Sequence, residues 1–295
     1  MRVILDRSAL HGERFAVLES SPLRRLIARN QVVLIHTPIL IEEIISEYGT
    51  NQASDAAWRS HLEFAADSCN GGFFLSRPQI WYNEIVQGRG PFARSILPER
   101  KSRRYQRTRS DMVEHLKYLA ATGDLAAAWQ ESTDERDDTY RKKENQRSIF
   151  RDVRVDTAKA LRQQRLTRTQ AQLPFSTYLK SEFHRHGRLL MDQVHPNRPE
   201  YFADLWAASP QRFPYYSGFV EGFIYSLYYA ALEQSAPLDR NAQADYEQLA
   251  YLVWADVIVS NDTRFLRRAF DALWRPRGKL LKTAEEFTEF LHAIV

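Results

Sequence analysis

The chain has 295 residues, is 44% hydrophobic and 26% charged, and carries a net charge of +4. It is long enough to bury a full core, as one large domain or two modest ones. Its single cysteine, Cys69, rules out a disulfide framework and a cysteine-built zinc site and fits a reducing, cytoplasmic setting, and no basic and apolar leader pattern opens the sequence.

The first fifty residues read as strand, helix, strand, helix. "RVILD" is a short apolar run that stops at Asp6. Ala16 to Arg29 has helical spacing, with Leu18, Leu23, Leu26 and Ile27 on one side. "QVVLIH" is apolar from Val32 to Ile35, as suits a parallel strand covered on both faces. "HTPILIEEIISEYG" then starts a helix with Thr37 as N-cap and Pro38 at the first helical position, and ends it at Gly49.

The last part repeats that grammar. "AQADYEQLAYLVWA" is helical, with Leu249, Leu252 and Val253 on an apolar face, and "DVIVSND" is a strand. "TRFLRRAFDALW" places Phe265, Leu266, Ala269, Phe270 and Leu273 at core spacing; "KLLKT" is an edge strand and "AEEFTEFLHAI" a closing helix. Alternation of strand and helix with short connections indicates an α/β sheet, mostly parallel, flanked by helices. Residues 51–235 read almost wholly as helix, with "GGFFLS" the one weak strand pattern. The expected organisation is an α/β core from 1–50 and 236–295, with 51–235 as a large helical insertion.

The charge is unevenly placed. Residues 91–190 hold 22 Lys and Arg against 13 Asp and Glu, and the remainder holds 19 against 24. The stretch Arg100 to Arg109 has six basic residues, Arg100, Lys101, Arg103, Arg104, Arg107 and Arg109, and no acid. With nearby aromatics such cations can neutralise phosphates and stack bases; a solvated helix face is the other reading. His184 and His186 are two apart and do not share a helix face, which argues against a metal site there. Phe213 to Gln234 is apolar and rich in Tyr but carries Glu221, a charge that costs roughly 2.5–3.5 kcal/mol at bilayer depth. A buried aromatic helix, or a self-association surface, is therefore expected there rather than a membrane span.

Ligand sites of open parallel sheets form beyond the carboxyl ends of the strands. Asp6 and Asp262 fall there. Glu43 lies less than two turns into the helix after the second strand, and Asp245 at the start of the helix that leads to the strand before Asp262. Each has a plainer reading: Asp6 as a turn cap, Glu43 as part of a solvated face with Glu42 and Glu47, Asp245 as an N-cap, Asp262 as the cap of a helix from Thr263. Asp239 in "PLDRN" either joins these acids or caps the next helix. Asp256 lies at the opposite end of the strand from Asp262. Carboxylates gathered in one cleft repel unless a cation binds them, and Mg²⁺ and Mn²⁺ prefer oxygen ligands.

In these places the chain resembles the PIN-domain family of metal-dependent ribonucleases, which includes toxins of toxin–antitoxin pairs. An Asp ends the first strand (Asp6, followed by Ser8). "TPILIEEI" is similar to the family's small residue, Pro, apolar run and Glu, here Glu43. Asp245 opens a helix seventeen positions before Asp262, in a final "SND" with Phe265 shortly after. The likeness covers roughly 1–50 and 236–295. The long insertion departs from the compact family pattern, and "YLVWADVIVSND" is more similar to the larger PIN-like proteins.

The resemblance implies a PIN-like fold and a Mg²⁺- or Mn²⁺-dependent endoribonuclease. Asp6, Glu43, Asp245 and Asp262 would hold the metal, Ser260 or Asn261 would contact phosphate or orient the site, and the basic insertion would hold single-stranded RNA. A toxin would have an inhibitor protein as partner. The alternatives are a catalytically inactive PIN-like module that binds RNA or protein, and a phosphohydrolase working through an aspartyl-phosphate. The latter usually has a second Asp two residues after the first, where this chain has Ser8.

Overall fold

Three short β-branched runs pair side by side and set the architecture. In the computed structural model they form β1 (Arg2–Leu5), β2 (Val33–His36) and β4 (Val257–Val259), joined by β3 (Gly72–Phe73) and β5 (Leu280–Lys282). The sheet order is β3-β2-β1-β4-β5 and every one of its ladders is parallel. The structure describes residues 1–50, 55–87, 103–123, 125, 155–156, 159, 163, 174–230 and 242–295; the side chains of 47–50, 55–56 and 103–111 fall outside the description.

Strand side chains alternate between faces, and two cores follow. Val3, Leu5, Leu34, Val257 and Val259 pack against α1 (Glu13–Ser20), α2 (Leu23–Ala28), α3 (Pro38–Thr50), α4 (Asp55–Ser68), α6 (Arg103–Thr122) and α12 (Ala284–Ala293). Ile4, Ile35 and Ile258 face α5 (Arg77–Trp81), α7 (Phe175–Val194), α8 (Pro199–Ala208), α9 (Pro214–Tyr228), α10 (Ala242–Ala250) and α11 (Phe265–Leu273). The molecule is thus a mixed α/β fold with a parallel central sheet between helical layers. Among the described residues, most of the helices from the long middle region lie on the Ile4 face.

Four local details differ from the sequence expectation. The helix expected over Ala16–Arg29 is two helices, α1 and α2. Pro22 disfavours a helical conformation at Ser21, which is extended at ψ 167°, and the Ser21 hydroxyl accepts from Leu23 N at 3.2 Å to start α2. Helix α3 passes Gly49 and reaches Thr50. The helix expected through Trp254 tightens to a 3₁₀ turn at Tyr251–Val253. The helix expected from Thr263 begins at Phe265. Thr37 does cap α3, accepting from Leu40 N at 3.2 Å.

Strand β3 lies inside 51–235 and lengthens the sheet. Asn70 supplies the missing edge contacts to β2: its Oδ1 accepts from Leu34 N at 2.7 Å and its Nδ2 donates to Val32 O at 2.8 Å. Gly71 is required there, because a Cβ would sit 2.7 Å from the Leu34 carbonyl oxygen.

The aromatic segment is core. Tyr215, Tyr216, Phe219 and Tyr225 of α9 are all buried, with Tyr215 stacked on Trp254 at 5.4 Å. Glu221 forms an ion pair with Arg277 at 2.6 Å. Among the described residues no helix is long and apolar enough to cross a membrane. A π-helical turn after α5, Tyr82–Val86, aims Glu84 inward. Its two carboxylate oxygens accept from Tyr215 N and Tyr216 N, each at 3.0 Å, and so cap α9 from another element. Burial pushes the Glu84 carboxyl up to about 7, against the pull of those two bonds.

Candidate functional site

The parallel register of β1 with β4, Leu5 opposite Val259, makes Asp6 and Ser260 neighbours as the two chains leave the sheet. Asp6 N donates to Val259 O at 2.9 Å, and Ser260 N to Lys282 O at 2.9 Å. Beyond that line the backbone turns: Asp6 caps a 3₁₀ turn (Arg7–Leu10), and the segment after β4 runs irregularly to α11.

Two serine hydroxyls join these loops. The Ser260 hydroxyl donates to Asp6 Oδ2 at 2.8 Å and accepts from Asp262 N at 3.1 Å. The Ser8 hydroxyl also donates to Asp6 Oδ2 and accepts from Asn261 N at 2.9 Å. Ser8 N is a third donor to the same oxygen, at 3.2 Å. A hydroxyl has one proton, so with both protons turned to Asp6 the 3.1 Å approach of the two serine oxygens is proximity and not a further bond. All three bonds fall on Oδ2 and none of them on Oδ1. Asp6 is held in one orientation while 8% exposed.

Asn261 bridges the loop to the last helix. Its Oδ1 accepts from Ala284 N and its Nδ2 donates to Glu285 Oε2, both at 3.0 Å. Backbone and Asn261 hydrogen bonds hold the Glu285 carboxyl below the usual carboxylate range. Asp262 Oδ1 accepts from Arg264 N at 2.7 Å, a turn cap ahead of α11. Ser260 and Asn261, expected either to orient the site or to contact phosphate, spend these side-chain bonds inside the protein. The plain reading of Asp6 as a turn cap holds; Asp262 caps the turn ahead of α11 and not a helix from Thr263, because the helix starts at Phe265 with Arg264 before it.

Glu43 is the sixth residue of α3 and half-buried, beside an exposed Glu42. Asp245 is the fourth residue of α10, not its N-cap, and also half-buried. Their helices are tied to the same edge of the sheet. Gln248, three residues after Asp245 and 1% exposed, donates from Nε2 to Leu5 O at 2.8 Å and accepts at Oε1 from the Thr37 hydroxyl at 3.1 Å. Next to it, Glu247 pairs with Arg77 at 2.7 Å, and the Arg77 guanidinium lies over the rings of Trp81 and Phe219. The sequence reading missed Gln248, Arg77 and Glu247; only a polar residue on an otherwise apolar helix face marked the first.

The structure therefore brings Asp6 and Asp262 together through Ser260. Glu43 and Asp245 lie on helices that are tied to one another through Thr37 and Gln248. Among the described residues no three His, Cys, Asp or Glu side chains are grouped closely enough to hold a metal ion. Asp256 sits at the opposite, amino edge, where its carboxylate accepts from Arg2 N at 2.8 Å. Arg100, Lys101 and Asp239 lie outside the described residues; Arg103, Arg104, Arg107 and Arg109 fall on α6, with their side chains outside the description. His186 is buried beside Glu182 while His184 is exposed, so the two look different ways. Comparison with protein-family models, curated proteins and solved structures returns no match for the chain.

Proposed function

We propose that the chain is a PIN-like, Mg²⁺- or Mn²⁺-dependent nuclease acting on single-stranded RNA. One observation carries this reading. Strand order reverses at β1, whose neighbours are β2 on one side and β4 on the other, and the crevice at such a reversal is where α/β sheets bind ligands. Asp6 and the Ser260–Asp262 loop stand at that point, and Gln248 ties the helices of Glu43 and Asp245 to it.

The donor chemistry fits a hard cation, because all four candidates are carboxylates. With no three acids grouped among the described residues, the fit is to an ion held by one or two carboxylates with its remaining positions filled by water and substrate phosphate, the usual habit of Mg²⁺. Asp6 and Asp262 would hold it, with Glu43 and Asp245 reaching it through water. When bound, such an ion supplies a water of lowered pKa and neutralises charge on the phosphate. The chain's own part is orientation. Ser8 and Ser260 direct their protons to Asp6 Oδ2, fixing the carboxylate plane, and the Asn261 bridge to α12 stiffens the loop that carries Asp262. The basic run from Arg100 to Arg109 would add phosphate contacts along the strand. A toxin paired with an inhibitor protein is the setting that the family likeness brings with it.

The test is cleavage of single-stranded RNA by purified protein with Mg²⁺ or Mn²⁺, expected to cease with EDTA and in Asp6→Asn and Asp262→Asn. Undiminished cleavage in both variants would defeat the assignment. The turn-capping bond of Asp262 and the internal bonds of Asn261 favour a second reading, a non-catalytic RNA- or protein-binding module. That reading requires RNA retention without turnover and indifferent to chelator.

A further inference from the structure

Gln248 is a polar side chain at a place where an apolar one is expected. Its helix neighbours Leu249 and Ala250 are fully buried, and Gln248 itself is 1% exposed. A buried carboxamide without partners destabilises a fold, so what its two ends touch is informative. Both ends meet elements that bear candidate acids.

The β1–β2 register runs through Arg2–Val33 and Val3–Leu34, and β2 ends at His36 as the chain turns into α3. The Leu5 carbonyl lies beyond those pairs on that side, and Gln248 Nε2 provides its donor. The next residue is Asp6. At the other end, the Thr37 hydroxyl accepts from Leu40 N, so its only proton is directed to Gln248 Oε1. That bond settles which way the amide faces. Thr37 is the N-cap of α3, the helix of Glu43, and Gln248 lies one turn after Asp245 in α10. The partners are 243 and 211 residues away in the chain.

We infer that Gln248 is a positioning residue: one amide sets the end of β1, the start of α3 and the body of α10 against one another, and thereby the spacing of Asp6, Glu43 and Asp245. The inference rests on the nuclease reading for the purpose of that spacing, and on geometry alone for the coupling. In this role Gln248 acts through the elements it joins and not on the reacting atoms.

Gln248→Met keeps the volume and removes both bonds. Thr37→Val removes one partner and the cap, while Thr37→Ser keeps the hydroxyl. Two readouts are needed. The first is amide hydrogen exchange of the metal-free protein. In Gln248→Met, exchange should accelerate together in residues 5–9 and in the first turn of α3, and Thr37→Ser should stay close to the parent. Acceleration confined to α10 would overturn the coupling. The second is the Mn²⁺ concentration that gives half-maximal cleavage, with Mn²⁺ binding followed separately by its effect on melting temperature. Residues that orient ligands typically change metal affinity by about 10–100-fold, so a rise of about tenfold or more is expected in Gln248→Met. A variant that melts earlier but keeps the parent's Mn²⁺ requirement would reduce Gln248 to a packing role and overturn the inference. If the parent protein neither binds Mn²⁺ nor cleaves, the nuclease reading fails by itself, and the exchange pattern alone decides whether Gln248 couples the three elements.

Discussion

Asp6 and Glu84 are both carboxylates withdrawn from solvent, 8% and 2% exposed, and each accepts hydrogen bonds at the end of a secondary-structure element. Their surroundings differ in kind. Asp6 stands where two parallel strands leave the sheet, among short side chains, and the bonds from Ser8 and Ser260 all fall on one oxygen. Glu84 is enclosed by the aromatic core of α9 and uses both oxygens on backbone N–H groups. Burial drives the Glu84 carboxyl up to about 7, and strongly perturbed ionisation often marks a functional group. Burial that perturbs a carboxyl can serve only to fasten a helix; what distinguishes Asp6 is its place at a strand-order reversal and an oxygen left out of those bonds.

The largest expected effect divides the two directly. Asp6→Asn should lower metal-dependent RNA cleavage by at least about 100-fold, beyond the usual cost of altering a residue that merely supports a metal ligand. Glu84→Gln should lower cleavage only by the fraction of protein that unfolds. Cleavage assayed alongside a melting curve measures both. A stable, inactive Glu84→Gln protein would reverse the comparison.

A second effect concerns pH and involves another buried group, His36 at the end of β2. Burial lowers the His36 imidazole from 6.5 to about 4. Its contribution to stability is present above pH 6.5 and lost as pH falls towards 4. Glu84 acts in the opposite sense: with its carboxyl raised from 4.5 to about 7, its contribution is present below pH 4.5 and lost as pH rises through 7. Each shift corresponds to about 3 kcal/mol at most. Between pH 4.5 and 6.5 the two slopes oppose one another, and the parent protein should show little net change from this pair. Glu84→Gln should unmask a stability that rises with pH across that window, measured by denaturant unfolding at several pH values. A variant profile parallel to the parent's would show that Glu84 does not titrate as its burial implies.

The strands, the helix faces and the acids at strand ends were legible because they depend on local pattern. Val257–Val259 and Val33–Ile35 are β-branched runs or nearly so, and the α11 core positions follow a 3.6-residue period. Asp6, Asp262 and the remoteness of Asp256 followed from chain direction in a parallel sheet. The break at Pro22 is also local, but the apolar spacing of Leu18, Leu23 and Leu26 runs through it and masks it. Glu84 and Arg77 gave no such signal, and Gln248 gave only that of a polar residue among apolar helix positions. Their partners are 131, 243 and 170 residues away, and nothing in "YNEIVQ" or "YEQLAY" states which distant backbone group will need a partner. The internal use of Ser260 and Asn261 was hidden for the same reason: the bonds depend on Ser8 and on the start of α12 arriving beside them.

The smallest expected effect tests the other end of β4. Asp256 is exposed, and its carboxylate accepts from Arg2 N while its backbone N–H donates to Arg2 O. Lys279 lies nearby and donates to Ala255 O at 2.8 Å. These contacts close the amino edge of the sheet, far along the strand from the Ser260 loop. Asp256→Ala removes one bond to a backbone N–H that water can reach, so the loss should be about 0.5–1 kcal/mol. Cleavage should be unchanged, because the ladder bonds of β1 and β4 that position Asp6 and Ser260 do not use this carboxylate. Denaturant unfolding and the cleavage assay on one preparation measure both quantities. If activity fell without a change in stability, Asp256 would act on the reaction across the length of the strand, and the separation of a structural amino edge from a chemical carboxyl edge would have to be abandoned.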